Sequence, residues 1–311
     1  MPQLASLPGR EVHKIVTMAR HCAEADGVDP FNEETTLALS RPASPERRHF
    51  VVPQEETVIA YAGVEVVDGA AGAELAVDPG HRRRGVGRAL LREVVASLEA
   101  EITQLRVWAH GDLAAAAAFA ESEGFARERV LFQLGRDLDG FEWPGAWPAG
   151  AGRNWPTGNG GAVVLPDSIT LRPFRVGEDD EEWLRVNAAA FATHPEQGRW
   201  TAADLRSRQY ETWFDPDGLI VAADDQGMLG FHWTKVEEGE GEIYVLGVDP
   251  RAQGTGVGRA LTLAGLAHLA AHGIRQVALY VDESNPRAVG LYRSMGFETV
   301  HSDVQWSKQL R

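Results

Sequence analysis

The sequence predicts an α/β (α+β) protein made of two domains of the same fold in tandem. The first observation is a buried, β-branched strand at residues 242–248, followed by a glycine-rich turn and a helix with apolar residues at helical spacing. The second is that the same succession of elements recurs from residue 73 onward. The third is the length, because 311 residues suffice for two ordinary domains.

The repeat is visible in the letters themselves. Val-Asp-Pro followed by Gly-Val-Gly-Arg-Ala-Leu occurs at residues 77–90 and again at residues 248–261. A Gly-Phe pair then follows in each copy, at 124–125 and at 296–297. Two copies this far apart indicate the duplication of a whole domain rather than a short-period solenoid.

Residues 141–167 separate the two copies and are dense in Gly, Pro and Trp. Such a composition is typical of an irregular connection, and its tryptophans favour packing on a domain surface. We therefore predict a first domain at 1–140 and a second at 168–311, joined by this linker.

Capping residues mark the start of two helices. Asn32 is a suitable N-cap for a short helix that begins with acidic residues, which suit the positive end of the helix dipole. Thr201 and Asp204 have the spacing of a capping box.

Composition narrows the class of protein. With 44% hydrophobic and 24% charged residues, the chain is typical of a globular protein. A net charge of -15 disfavours a nucleic-acid partner, so any phosphate must be held by local backbone geometry and a few arginines. No signal segment and no bilayer-length apolar run are apparent. We expect a cytoplasmic monomer without a membrane partner.

The sequence contains few candidate metal ligands. Cys22 is the only cysteine, which excludes an internal disulfide and a thiolate cluster. His268 and His272 lie four residues apart on a predicted helix, but no third ligand is apparent nearby in the sequence. We interpret both histidines as exposed and expect no metal.

The turn at residues 253–258 is typical of a phosphate site. A helix that starts on such a turn presents free backbone N–H groups and the positive end of its dipole. A P-loop needs Gly-Lys-Ser/Thr, whereas Gly258-Arg259-Ala260 stands here. The glycines alternate, so the dinucleotide fingerprint Gly-x-Gly-x-x-Gly is not met either.

Two motifs carry a family resemblance. Gln253-x-x-Gly256-x-Gly258 after Val-Asp-Pro, and Asn285-Pro286-x-Ala288-x-x-x-Tyr292, together resemble the Gcn5-related N-acetyltransferases (GNAT). The resemblance implies two tandem GNAT folds, each a mixed, mostly antiparallel twisted sheet flanked by helices. It also implies acetyl-CoA as co-substrate and no metal.

The residues present can fill the roles that acetyl transfer requires. Amide formation from a thioester needs a neutral amine, a donor to the oxyanion and a proton for the departing thiolate. Glu242, at the start of the central strand, can accept the ammonium proton, directly or through water. By the resemblance, Tyr292 is the general acid, and the backbone N–H groups of residues 246–248 face the acetyl group.

The two halves differ where the acid would stand. The first half has five alanines at 114–118 and then Phe119, so it offers no hydroxyl in place of Tyr292. Arg82, Arg83 and Arg84 strengthen its phosphate turn. We predict that the first half binds acetyl-CoA without catalysing transfer.

Longer sequence segments resemble one particular family of these acetyltransferases. His-Pro-Glu-Gln-Gly-Arg-Trp-Thr at 194–201, Gly-Phe-His-Trp-Thr-Lys at 230–235 and Ala-Leu-Tyr-Val-Asp-Glu-Ser-Asn at 278–285, in a tandem chain, closely resemble the actinobacterial mycothiol synthases. That family acetylates the cysteinyl amine of a glucosamine–inositol pseudodisaccharide, a small-molecule acceptor.

The resemblance also assigns binding residues. Carried over position by position, the acceptor contacts are Glu33, Glu196, Lys235, Glu242 and Tyr280. In the second half, the residues that the resemblance assigns to acetyl-CoA binding are Leu246, Gly247, Val248, Gln253, Gly254, Thr255, Gly256, Val257, Gly258, Arg259, Asn285, Pro286, Arg287, Ala288, Val289 and Gly290. In the first half, the residues assigned to acetyl-CoA binding are Leu75, Ala76, Val77, Arg83, Arg84, Gly85, Val86, Gly87 and Arg88.

Two alternatives remain open at this point. One is an acetyltransferase for another amine, such as an aminoglycoside, a polyamine or a protein N-terminus. The other is a non-enzymatic acetyl-CoA sensor, which would be free to lose Glu242 and Tyr292.

Overall fold

The structure is a computed structural model that describes residues 3–67, 69–141, 154–156, 162–192 and 197–310. Its strands are β1 (Gln3–Leu4), β2 (Arg47–Gln54), β3 (Thr57–Val67), β4 (Ala70–Val77), β5 (Gln104–His110), β6 (Ala126–Asp137), β7 (Asn154–Pro156), β8 (Ala162–Val164), β9 (Thr170–Pro173), β10 (Leu219–Asp224), β11 (Gly227–Glu237), β12 (Glu240–Val248), β13 (Gln276–Asp282) and β14 (Glu298–Gln309). Its helices are α1 (Gly9–Asp26), α2 (Glu33–Ala38), α3 (Val86–Ser97), α4 (Ala114–Ser122), α5 (Asp180–Ala190), α6 (Ala202–Gln209), α7 (Val257–Ala271) and α8 (Pro286–Ser294).

The chain divides into two compact units, and each contains one copy of the duplicated frame. The first unit comprises Met1–Phe132, Asp282–Ser284 and His301–Arg311. The second comprises Gln133–Val281 and Asn285–Val300. The domain limits expected from the sequence stay a prediction.

The first unit is a mixed sheet with a helix layer on each face. Strands β1 to β5 follow chain order, β4 and β5 run parallel, and the chain end adds part of β14 antiparallel to β5. Alternation along β2 sends Phe50 into a core with α3 and Val51 into a core with α1. Cys22 is buried in the α1 core, as a small apolar residue on a helix would be.

The second unit has the same plan. Its strands run in the order β13-β12-β11-β10-β9, all antiparallel except the parallel pair β12–β13. Helix α7 is buried along most of its length, and α5 packs with β10 and β11 around Trp183 and Trp233. The predicted mixed, mostly antiparallel sheets flanked by helices are thus confirmed in both units.

Both predicted caps are present. Asn32 accepts a hydrogen bond from the Thr35 N–H at 2.7 Å at the start of α2. At the start of α6, Thr201 and Asp204 form a reciprocal capping box. Among the described residues, no helix combines the length and apolar character that crossing a bilayer requires.

A fully buried histidine predicts an acid-sensitive second unit. His232 Nδ1–H donates to the Leu261 carbonyl at 2.8 Å, its buried Nε2 has no hydrogen-bond partner among the described residues, and the ring fits only because Gly265 has no side chain. Burial lowers the pKa of His232 from 6.5 to about 4. The folded state therefore resists protonation, and stability is lost as the pH falls from about 6.5 towards 4, by about 3 kcal/mol at most.

We expect His232→Asn to remove that part of the acid sensitivity. Urea unfolding of the second unit at pH 7, 5.5 and 4.5 should show a smaller loss of stability in the variant than in the parent protein. The exposed His13→Asn is the control and should leave the pH dependence unchanged. Identical pH dependence in His232→Asn and the parent would contradict this assignment.

Candidate active site

The glycine turn of the second unit leads directly into α7. Asp249 accepts a hydrogen bond from the Arg251 N–H at 3.0 Å and closes a short 3-10 turn. Gly254 and Gly256 then take φ values of 81° and 91°, and Gly256 is the N-cap of α7. This left-handed backbone favours glycine and exposes the first N–H groups of α7, which is the geometry of an anion cradle.

Gly258 lies where the first turn of α7 packs on β12. A Cβ there would lie 3.4 Å from Val248 Cγ2, within ordinary van der Waals contact. On the other side of the cradle, Gln253 Oε1 accepts a hydrogen bond from Arg287 Nη1 at 2.9 Å. The two predicted motifs are therefore in contact within the second unit.

The corresponding turn of the first unit has nearly the same backbone conformation. Asp78 accepts from the Gly80 N–H at 3.0 Å, and Gly85, with φ of 82°, is the N-cap of α3. Arg83 has φ of 62° where the second unit has Gly254. A non-glycine residue in this region costs of order 1–3 kcal/mol, so the surrounding turn fixes the conformation.

The arginines of the first cradle are not equivalent. Arg83 and Arg84 are exposed at the turn. Arg82 instead binds Asp26 through two hydrogen bonds of 2.7 Å and donates to the Val77 carbonyl at 3.0 Å. The expectation that Arg82 strengthens the phosphate turn was therefore wrong, because it ties the turn to α1. Arg88 forms an ion pair with Glu123.

Strand β12 contains a β-bulge next to the place where it separates from β13. Trp233 pairs with Val245 while Thr234 pairs with Ile243, which leaves Tyr244 as the extra residue. The described β12–β13 pairs are only Gly241↔Val277 and Glu242↔Ala278. Beyond Glu242, β12 therefore offers backbone groups to a ligand in the splay.

Three of the predicted acceptor residues share one face of this sheet. Lys235 pairs with Glu242 across β11 and β12, and Glu242 pairs with Ala278, two residues before Tyr280. Directly paired residues project to the same face, and so do residues two apart on a strand. Glu242 is half-buried and Tyr280 is 52% exposed.

An aromatic cluster lies beside these residues and was not predicted from the sequence. Lys235 Nζ lies 5.4 Å from the centroid of the Trp213 ring, and Trp213 contacts Tyr244 at 4.9 Å. Trp200 also packs near Tyr244, with ring centroids 6.4 Å apart, and Arg208 Cζ lies 5.0 Å from the centroid of the Trp200 ring. Aromatic spacing along separate elements gave no signal that these rings would meet.

Tyr292 lies on α8 with its ring buried. It is 6% exposed and packs edge-on against Phe297 at 5.7 Å. Among the described residues, no side chain or backbone group hydrogen-bonds its hydroxyl. Burial raises the pKa of Tyr292, so the hydroxyl keeps its proton at neutral pH. Asn285 caps the same helix by accepting from the Ala288 N–H at 3.1 Å.

The first unit lacks both the bulge and the early splay. Strands β3 and β4 pair without a register shift, from Ala60↔Val77 to Val67↔Ala70. Parallel pairing of β4 with β5 continues over four positions, as far as Glu74↔Trp108. The copy of α8, α4, begins at an N-cap, Leu113, whose side chain caps nothing, and carries Ala120, next to Phe119, where the second unit has Tyr292.

Two predicted acceptor residues lie elsewhere. Glu33 is the first residue of α2 in the first unit and is exposed. Glu196 lies outside the described residues.

The histidine pair on α7 differs from its sequence interpretation. His272 is exposed, but His268 is 3% exposed, and its Nε2 lies 3.2 Å from Asp215 Oδ2. His272 Nδ1–H donates to the His268 carbonyl at 2.9 Å. Asp215 is thus a third possible ligand that sequence separation concealed. Hydrogen bonds within this group already explain its arrangement.

Sequence comparisons agree with the geometry. The profile described as Acetyltransferase (GNAT) family matches residues 183–297, and the profile described as Acetyltransferase (GNAT) domain matches residues 45–127. Solved structures with the same fold include a GCN5-related N-acetyltransferase from Sphaerobacter thermophilus, with a TM-score of 0.71 and 24% identity over 99% of this chain and 96% of that one. A tandem GNAT protein from the clavulanic acid biosynthesis pathway has a TM-score of 0.70 and 21% identity over 99% and 98% of the two chains.

Fold and cradle together define an N-acetyltransferase with two GNAT domains in tandem. Among full-length relatives, the mycothiol acetyltransferase of Salinispora arenicola is 47% identical, covering 96% of this chain and 93% of its own. That of Thermomonospora curvata is 46% identical, covering 95% and 93%. The chain belongs to the mycothiol acetyltransferase family.

Proposed function

We propose that the protein transfers the acetyl group of acetyl-CoA to the cysteinyl amine of desacetylmycothiol, a glucosamine–inositol pseudodisaccharide, and so forms mycothiol. The observation that carries the proposal is the shared face of Lys235, Glu242 and Tyr280 beside the β12 splay. Charged and hydroxyl groups suit a polyhydroxylated acceptor with one ammonium better than an apolar pocket does. The names of the relatives supply the identity of the acceptor.

Acetyl-CoA binds the second unit at two places in this proposal. The turn at residues 253–259 holds the pyrophosphate through its N–H groups and the start of α7. The backbone of residues 246–248 and the start of α8 hold the pantetheine and the acetyl group. This division follows the anion cradle and the unpaired edge of β12.

Transfer is direct, within a ternary complex. Glu242 takes the ammonium proton, directly or through a water molecule, and the amine nitrogen then attacks the thioester carbonyl carbon. Backbone N–H groups of β12 stabilise the oxyanion. The C–N bond forms and the C–S bond breaks, and the thiolate of CoA takes a proton from Tyr292. The nitrogen gives its second proton to solvent, and Tyr292 regains a proton from solvent.

Five side chains bind the acceptor in this proposal, as the resemblance implies. Lys235, Glu242 and Tyr280 bind from the second unit, together with Glu196. Glu33 contributes from the start of α2. The first cradle binds acetyl-CoA through Gly85 and its neighbours, but it catalyses nothing, because it lacks the bulge, the early splay and a hydroxyl at Ala120, the position equivalent to Tyr292.

Initial velocities test this proposal. Acetyl-CoA is varied against desacetylmycothiol, an aminoglycoside, spermidine and a short peptide, and free thiol release from CoA is followed. We expect the highest kcat/KM for desacetylmycothiol and intersecting double-reciprocal plots. Parallel plots would indicate a covalent acetyl-enzyme, and a higher kcat/KM for another amine would reassign the acceptor.

Glu242→Gln is expected to remove or shift the acidic limb of the pH–rate profile. Glutamine keeps the size of the side chain but cannot accept the ammonium proton, so the rate should fall by about 10²–10⁴-fold at neutral pH. Profiles of kcat/KM for the acceptor are compared for the variant, the parent and the exposed Glu240→Gln on the same strand. An unchanged limb and rate in Glu242→Gln would mean that another base or water alone suffices.

A further inference from the structure

We propose that Glu74 and His110 are positioning residues that hold the start of α2, and with it Glu33, for acceptor binding. The inference rests on the proposed function, which assigns Glu33 to the acceptor. Neither residue belongs to the two sequence motifs, and both lie in the unit without a catalytic tyrosine. Their contacts lie entirely within the first unit.

Glu74, His110 and Asp303 form a buried chain of hydrogen bonds. His110 Nε2 lies 3.0 Å from Glu74 Oε1, and His110 Nδ1 lies 3.1 Å from Asp303 Oδ2. The side chains of Glu74 and His110 are 3% and 10% exposed. The other Asp303 oxygen accepts a hydrogen bond from the Gly111 N–H at 3.2 Å and lies 2.9 Å from His301 Nε2. The last strand of the chain thereby fixes a side chain at the end of β5.

This chain of hydrogen bonds carries charge at neutral pH. Burial alone would lower the pKa of His110, but its hydrogen bonds to Asp303 and Glu74 outweigh burial and raise that pKa to about 9. The same contact with His110 keeps the pKa of Asp303 below its usual value despite burial. An imidazolium between two carboxylates compensates the buried charge of Glu74, which alone would be costly.

The free end of this chain of hydrogen bonds holds α2. Glu74 Oε2 accepts a hydrogen bond from the backbone N–H of Asn32 at 3.1 Å. Asn32 is the N-cap of α2, and Glu33 is the next residue. Phe31, just before the cap, packs edge-on against Tyr61 at 5.3 Å. The backbone that carries Glu33 is therefore held on both sides, while its own side chain is exposed and makes no hydrogen bond or ion pair to another described residue.

The duplicated frame shows that the fold itself does not require Glu74. The frame aligns Val77 with Val248, which aligns Glu74 with Val245 of the second unit. Val245 is buried in an apolar core, so the position equivalent to Glu74 holds an apolar side chain in the second unit. A valine would be sufficient for the sheet, so the buried ion pair is a property of the first unit alone.

Glu74→Gln is expected to raise KM for the acceptor, with little change in KM for acetyl-CoA. Glutamine removes the charge that His110 binds, which loosens the start of α2, and misplacement of a binding group by about 1 Å can cost up to about 10²-fold. We expect an increase of about 10-fold in acceptor KM. Asp303→Asn, which perturbs the far end of the chain of hydrogen bonds, is the second variant in case Glu74→Gln does not fold.

A double-mutant cycle with Glu33→Gln separates positioning from general damage. If Glu74 acts through Glu33, the effect of Glu74→Gln on acceptor KM should disappear in the Glu33→Gln background. Glu34→Gln is the matched control, because Glu34 lies on the same helix and pairs with Arg41 at the surface. Full additivity of Glu74→Gln and Glu33→Gln, or equal changes in both KM values, would overturn the inference.

Hydrogen exchange of residues 32–38 tests the positioning without any acceptor. Glu74→Gln should speed exchange there, while amides of β11 and β12 in the second unit stay as protected as in the parent protein. Unchanged exchange at α2 would also overturn the inference. If α2 loosens but desacetylmycothiol is not acetylated by the parent, the proposed acceptor fails. If Glu33→Gln alone leaves acceptor KM unchanged, the role of Glu33 fails and with it the role of Glu74.

Discussion

Gly256→Asp is expected to abolish acetyl transfer, whereas Gly85→Asp leaves turnover near that of the parent. Gly256 is the N-cap of α7 with φ of 91°, so any side chain there is strained, and a carboxylate would also repel the pyrophosphate. Loss of two charge-assisted hydrogen bonds, at about 1.5–3 kcal/mol each, corresponds to about 10²–10⁴-fold in kcat/KM. Gly85 has φ of 82° in the first cradle, so the same strain is introduced there.

Calorimetry with acetyl-CoA counts the sites in the same proteins. We expect two sites in the parent and one in each aspartate variant, with turnover lost only in Gly256→Asp. Gly256→Ala carries the backbone strain without the charge and should retain more activity than Gly256→Asp. Equal loss of turnover from Gly85→Asp and Gly256→Asp, in proteins that remain folded, would show that the first cradle takes part in catalysis.

Tyr292→Phe is expected to lower kcat by about 10²–10⁴-fold, the usual contribution of general acid catalysis. The change removes a hydroxyl that hydrogen-bonds to none of the described residues, and the ring keeps its packing on Phe297. Affinity for acetyl-CoA should stay the same. Single-turnover rates and calorimetry are the measurements.

Tyr210→Phe provides the control for this experiment. Tyr210 is 87% exposed at the end of α6, so its hydroxyl should contribute nothing to turnover. Unchanged single-turnover rates in Tyr292→Phe would exclude this hydroxyl as the acid that protonates the thiolate.

Local sequence patterns predicted the parts of the site that depend on local backbone. The glycines of the second cradle predicted a turn before a helix, and Gly254 and Gly256 take positive φ in that turn. Asn32 and Thr201 predicted two helix starts because a cap involves residues only three apart. The duplicated frame predicted the second copy of the fold because the same motifs recur in the same order along the chain.

Features that depend on distant pairing could not be predicted. Asp303 meets His110 across almost two hundred positions of chain, because part of the last strand pairs with β5. The bulge at Tyr244 depends on the register between β11 and β12, which no single strand specifies. Arg82 was misassigned because Asp26, its partner, lies on another element.

A competition experiment tests the central claim most directly. The protein is incubated with limiting acetyl-CoA and an equimolar mixture of desacetylmycothiol, an aminoglycoside, spermidine and a peptide, and the products are identified by mass spectrometry. We predict that nearly all of the acetyl group is found on the cysteinyl nitrogen of desacetylmycothiol, that Gly256→Asp forms no product, and that Gly85→Asp forms the same product as the parent. Acetylation mainly of another amine, or hydrolysis of acetyl-CoA without amide formation, would contradict the claim.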